Sequence, residues 1–408
     1  MQSIKHLRGV KVMAKNKKII LDMILNIIAA TIPVAVLQLI VYPITAKNIG
    51  GDEYGLMLTI YSVWIMISNS LGNVLNNVRL LWNGEYEEGE IKGDFNILLI
   101  QWGVINAVII GAVIVFYCDG FNLVHVGLGI VVSLLVIAKA YLEVGFRLIL
   151  NYKSIVINNI MQSMGFFIGA YITAATGVWE SIFILGYLFS CIYCVVKTNL
   201  LKEPFCKTGI FKRVNKDSNK LIIATVISNM MTYADKLVLY PLMGGTAVSI
   251  YYTATILGKI MGMLTGPINS VILSYISKWK ADNRNLITKI LLLGIGLCII
   301  GYVVTLVLSR PVLGMLFPQW VDEVMHYIPI TTVNVLLLVL ISMLSPFVLK
   351  FCDMKWQIVI SGISVVIYFI CALVLWNYFG LTGFCFGAMA GTFVKLIIML
   401  CVYYRNKG

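Results

Sequence analysis

The stretch LIIATVISNMMTYADKLVLYPLM, residues 221–243, decides how this chain is read, because it is apolar over a full helix length yet carries Asp235 and Lys236 in its interior. As a helix rising 1.5 Å per residue it spans about 34 Å, enough to cross a hydrocarbon layer of roughly 30 Å. Ionisable groups at that depth are costly and therefore mark function by default. Adjacent residues on a helix point about 100° apart, so Asp235 and Lys236 are expected to find partners on other helices or in a polar cavity rather than in each other. Asn229, Tyr233 and Lys236 share one face, Thr232 and Asp235 a second, and the next apolar run carries Lys259 beside Tyr252 and Thr255.

Composition extends that reading to the whole chain. With 60% apolar and 12% charged residues over 408 positions, the sequence lies far from the balance of a soluble globular domain. Hydropathy, with breaks at charges, Gly and Pro, predicts an all-α polytopic membrane protein of about twelve spans: 19–45, 55–78, 95–117, 124–148, 155–175, 179–196, 221–243, 248–276, 286–308, 328–349, 357–376 and 382–403. If the amino terminus is cytoplasmic, twenty-five of the thirty-one Lys and Arg fall on the cytoplasmic side, only Lys47 and Arg310 fall outside, and Lys139, Lys236, Lys259 and Lys395 lie within spans. Both termini are thus expected inside, and the +13 net charge is a topology signal rather than a nucleic-acid footprint. The first run is too long for a signal peptide and is read as a retained span.

Several spans are marked by polar residues. Pro33 should kink or loosen the first. Asn69, Asn73 and Asn76 recur at helical spacing in the second, with Arg79 closing it, as expected of a wet face. Lys139, Glu143 and Arg147 stand at i, i+4, i+8 in the fourth, either lining a site or forming an internal ion ladder. The polar segment 197–220 carries seven basic residues and divides the chain into six-helix bundles over 1–208 and 209–408. Tyr42-Pro43 before Gly50-Gly51 is echoed by Tyr240-Pro241 before Gly244-Gly245, a weak sign of duplicated halves. Pro267 suggests another kink, and Gly383, Gly387 and Gly391 form a close-packing seam that aims Lys395 at protein. The nine cysteines offer no disulfide framework, and Cys191 and Cys194 read as small core residues. The three histidines are scattered, and no pattern for a metal, a cofactor or catalysis is found.

Asn26, Tyr42-Pro43, the run Ile49-Gly50-Gly51-Asp52-Glu53-Tyr54-Gly55, Arg79, and Asn229, Asp235-Lys236 and Tyr251 together resemble the Wzx-type polysaccharide flippases of the multidrug/oligosaccharidyl-lipid/polysaccharide exporter superfamily. The resemblance implies two pseudo-symmetric six-helix bundles in a MATE-like V. It also implies transport of an undecaprenyl-diphosphate-linked oligosaccharide, such as an O-antigen or capsule unit, across a bacterial cytoplasmic membrane by alternating access. A proton or sodium counter-ion, membrane lipid and other polysaccharide-assembly membrane proteins are the implied partners. The charges agree in sign. Four buried lysines against Glu143 and Asp235, with Arg79 and Arg147 at the inner rim, suit a diphosphate or acidic glycan. Substrate contacts are therefore expected from Arg79, Lys139, Arg147, Lys236, Lys259, Lys395, Asn69, Asn73 and Asn76, and coupling from Asp235 and Glu143. An ion-coupled multidrug exporter of the MATE type is the alternative and predicts an acidic interior. A membrane-embedded polymerase would need a large outer loop, which the sequence does not offer.

Overall fold

A computed structural model describes residues 25–89, 93–118, 123–263, 284–352 and 354–405. The basic amino-terminal tail, the start of the first span and the stretch 264–283 with Pro267 lie outside them. Helix accounts for every regular element among the described residues. The helices are α1 (Leu25–Ile49), α2 (Gly51–Glu88), α3 (Asp94–Tyr117), α4 (Leu123–Leu148), α5 (Tyr152–Thr176) and α6 (Glu180–Lys197). They continue as Phe211–Met263, kinked at Gly244 into α7 (211–243) and α8 (245–263), then α9 (Arg284–Leu316), α10 (Ile328–Phe351), and Met354–Arg405, reversed at Gly380 into α11 (354–379) and α12 (381–405). Gly244 has φ +78° and Gly380 φ +56°, a backbone state that side-chain-bearing residues rarely adopt, so each glycine breaks what would be one overlong helix, and at Gly380 the two halves fold back on each other. These twelve long helices follow the expected spans as far as they are described, the second half of 248–276 lying outside the described residues, and the turn after the first span shrinks to Gly50 alone.

The chain divides into two compact units, Met1–Pro241 and Leu242–Gly408. In the first, α1–α6 pack around Leu71, Leu75, Phe95, Tyr141, Phe146 and their neighbours. The helix passes through Pro33 unbroken and widens into a π turn at Leu37–Val41. Proline has no N–H to give the carbonyl four residues back, which would leave the Ala29 oxygen orphaned in an apolar core. The Asn159 side chain on α5 supplies the missing donor, Nδ2 to Ala29 O at 2.9 Å. The same solution recurs at Pro241, where Leu237 O receives the Tyr117 hydroxyl of α3 at 2.9 Å. A second π turn, Ile65–Asn69, interrupts α2.

In the second unit, α9, α10 and α12 enclose Leu340, Leu344, Phe347, Met399 and Tyr403. Thr331 of α10 donates to Ala254 O of α8 at 3.0 Å. The glycine seam closes the α11–α12 hairpin: a Cβ added to Gly387 would stand 2.4 Å from the Ala372 Cα, so only glycine permits that approach.

Candidate functional site

Arg79 ends the second-span stripe and is only 5% exposed. Its Nη2 meets Glu203 Oε1 at 2.7 Å, while the guanidinium lies 5.0 Å from the Tyr86 ring centroid and 4.9 Å from that of Phe95. Its Nε and Nη1 have no hydrogen-bond partner among the described residues. Glu203 belongs to the segment expected to be a surface linker, and its neighbours are also held down. Asn96 Nδ2 donates to Glu203 O at 2.9 Å and to Leu200 O at 3.3 Å. Asp94, fully buried at the start of α3, accepts from the Tyr86 hydroxyl at 2.6 Å and from the Thr208 amide at 2.7 Å. Residues 200–208 are thus clasped to the carboxy-terminal end of α2 and the amino-terminal end of α3, and helix resumes at Phe211.

One turn before Arg79, Asn76 bridges to α4. It is 2% exposed, donates to Ala140 O at 2.9 Å and accepts from Arg147 Nη1 at 3.3 Å. Beside it, Lys139 Nζ stands 3.0 Å from Glu143 Oε2, an i, i+4 pair with both side chains 16% exposed. The pair formally neutralises itself, so the net positive charge of this cluster rests on Arg147, whose partner Asn76 is neutral. An anionic group brought here would meet one uncompensated guanidinium and, if Glu143 swings away, a second cation. Asn69 is half-buried and Asn73 exposed, so the three asparagines of the stripe occupy three different environments.

Lys236 is 5% exposed, and its Nζ lies 3.6 Å from Asp235 Oδ1 and 5.5 Å from the Tyr233 ring. This corrects the expectation that adjacent residues on a helix could not meet. The Cβ vectors do diverge, but the lysine stem is long enough to fold back, and the Asp235 carboxylate also turns to accept from the Lys236 amide at 2.9 Å. Further along α7, Asn229 Nδ2 donates to Ser70 Oγ of α2 at 2.7 Å, just past the second π turn. Lys259 and Lys395 belong to the second unit. The Lys259 Nζ sits 5.0 Å over the Tyr252 ring, and Lys395 is half-buried on α12 without an acidic partner among the described residues.

Two buried acids escaped the sequence reading because they stand at span ends rather than within them. Asp94 is the clasp residue described above. Glu180, the first residue of α6, is 0% exposed, with one carboxylate oxygen against His125 Nδ1 of α4 and the other without a hydrogen-bond partner among the described residues. The His125 ring lies flat against Trp179, 6.2 Å between centroids. A single acid opening an otherwise apolar helix was the available signal. His125 is distant in sequence, so nothing local tied it to Glu180.

No protein-family model and no curated protein sequence matches the chain. Solved structures do. The chain is similar to a lipid II flippase MurJ in an inward closed conformation, with TM-score 0.70 at 12% identity over 94% of this chain and 86% of that one. It is similar to an inward-facing multidrug resistance MATE transporter of the multidrug/oligosaccharidyl-lipid/polysaccharide exporter superfamily, with TM-score 0.69 at 14% identity over 94% and 97%. A Vibrio cholerae MATE transporter matches with TM-score 0.59 at 12% identity over 95% and 96%. At such identities the likeness is one of fold. The chain is a multi-pass membrane protein with the helical fold of that superfamily's transporters, as the sequence resemblance implied.

Proposed function

We propose that this chain is a flippase that carries an undecaprenyl-diphosphate-linked oligosaccharide from the cytoplasmic to the outer leaflet of a bacterial cytoplasmic membrane by alternating access. Both termini lie in the cytoplasm on this reading, as the distribution of Lys and Arg outside the spans demands. The observation that carries it is the excess of cations along the membrane-crossing helices, with Lys236 buried and the others half-buried. Lys139, Arg147, Lys236, Lys259 and Lys395 all stand on membrane-crossing helices, where a cation without function is selected against. A diphosphate is the ligand that repays such a cost, because phosphate oxygens take charge-assisted hydrogen bonds from both Lys and Arg.

In this account Arg147, opposite a neutral asparagine, and Lys139, released from Glu143, receive the phosphates in the first unit. Lys236, Lys259 and Lys395 lower the cost of the anion at later stages of the crossing. Asn69, Asn73 and Asn76 supply amide donors, and Arg79 joins them only when Glu203 lets go. Asp235 and Glu143 stand against Lys236 and Lys139 while no substrate is bound. A proton or sodium ion resets the carrier, and polysaccharide-assembly membrane proteins deliver and remove its cargo.

The rival reading, a multidrug exporter, draws on MATE neighbours of nearly equal similarity. A cationic drug would be repelled by the same lysines. Reconstituted protein given a lipid-linked oligosaccharide and, separately, a cationic dye such as ethidium separates the two. The flippase reading predicts that the lipid becomes accessible to a glycan-cleaving enzyme outside the vesicles while the dye stays put. Dye movement without lipid movement would overturn it.

A further inference from the structure

Each candidate coupling acid inside a span already has a cation beside it. Glu143 lies 3.0 Å from Lys139, and Asp235 lies 3.6 Å from Lys236. Glu180 is built differently. It is fully buried, its partner is an imidazole rather than an ammonium, and its second oxygen faces no donor among the described residues. Imidazole is the one side chain whose ordinary proton exchange falls near neutral pH. The His125 side chain is 30% exposed, and it stacks on Trp179.

We propose that His125 and Glu180 form a proton-binding site at the end of the first unit opposite the Arg79–Glu203 clasp, and that the transport cycle takes up its counter-ion there. This rests on the chain being a transporter. A proton from water binds at the second ring nitrogen, and one hydrogen stays between Nδ1 and the carboxylate throughout. The pair then goes from one net negative charge to neutral. No bond other than those to hydrogen is made or broken.

Glu53 stands in the first turn of α2, with Asp52 beside it. Lys47 closes α1 at the same end. The remaining charged side chains of α3, α5 and α6, which are Asp94, Lys153 and Lys197, lie at the opposite end, and Asp119 lies outside the described residues. Because α4 and α6 pack directly on each other, a change of charge between His125 and Glu180 acts on the contact that holds the bundle at this end.

The test uses the full chain with two variants. His125→Arg keeps a cation beside Glu180, and with it the fold, but has no proton to exchange; Glu180→Gln removes the charge. Without substrate, the purified wild type should show imidazole and carboxyl bands that change together in pH-difference infrared spectra. Those bands should be lost in both variants and kept in Asp235→Asn and Glu143→Gln. In proteoliposomes, wild-type movement of a lipid-linked oligosaccharide should respond to an imposed pH gradient, and the response should vanish in His125→Arg while potential-driven movement persists. Bands that survive in Glu180→Gln, or an unchanged pH response in His125→Arg, would overturn the proposal. Bands as predicted with no lipid movement in any protein would leave the site standing and remove the flippase reading instead.

Discussion

Glu203 holds Arg79 across 124 positions of sequence, one oxygen on one nitrogen at 2.7 Å, with both side chains at least 89% buried. The residue that closes the second span is therefore the anchor of the segment that follows the sixth. Breaking a buried pair by removing one partner strands the other charge, at a cost of about 3–5 kcal/mol. Glu203→Gln should lower the thermal unfolding midpoint of the detergent-solubilised protein substantially. The double replacement Arg79→Met with Glu203→Met should recover most of that loss, since an apolar pair leaves no charge stranded. A double variant as unstable as the single one would mean that the clasp stabilises by more than this pair.

Asn159 gives α1 a sharper test. Its amide replaces the hydrogen bond that Pro33 cannot make, so Asn159→Ala should cost about 1–3 kcal/mol by orphaning a buried carbonyl. Pro33→Ala restores the backbone N–H, and in that background Asn159→Ala should be close to neutral. Equal costs in the two backgrounds would show that the amide serves something other than the proline gap. Tyr117→Phe with and without Pro241→Ala repeats the experiment on α7.

These two devices show where the sequence was legible. Span positions, the loosening near Pro33 and the Gly383–Gly391 seam were readable because each is local: an apolar run of bilayer length, a missing N–H, small residues four apart. The partners that complete them were not, because Asn159 and Glu203 meet their targets only through packing of distant helices. The charged stripe of α4 was visible from spacing alone, and the pairing within it was one of the two readings that spacing allowed; what spacing did not show was the Asn76 contact of Arg147. The Lys139–Glu143 pair neutralises itself, and the free positive charge passes to Arg147. Asp235 and Lys236 were misread by treating side chains as rigid spokes, when a lysine stem can span the angle between neighbours.

Exchanging charges in α4 separates folding from transport. Lys139→Glu combined with Glu143→Lys keeps an i, i+4 pair, so stability should change by less than about 1 kcal/mol, the scale of such pairs on a helix. The cation would move one turn along the membrane normal, and flipping should slow at least severalfold. Full transport by the exchanged protein would release Lys139 from any role in meeting the substrate.

The central claim is that an anion crosses past fixed cations, and the membrane potential tests it most directly. A diphosphate carrying about two negative charges gains roughly 4–5 kcal/mol from an inside-negative potential of 100 mV, at about 2.3 kcal/mol per charge. In proteoliposomes with a potassium-diffusion potential as the only gradient, flipping of a lipid-linked diphosphate oligosaccharide should speed up as the substrate-loaded side is made negative and slow when the sign is reversed. A rate that ignores both the size and the sign of the potential would contradict the account.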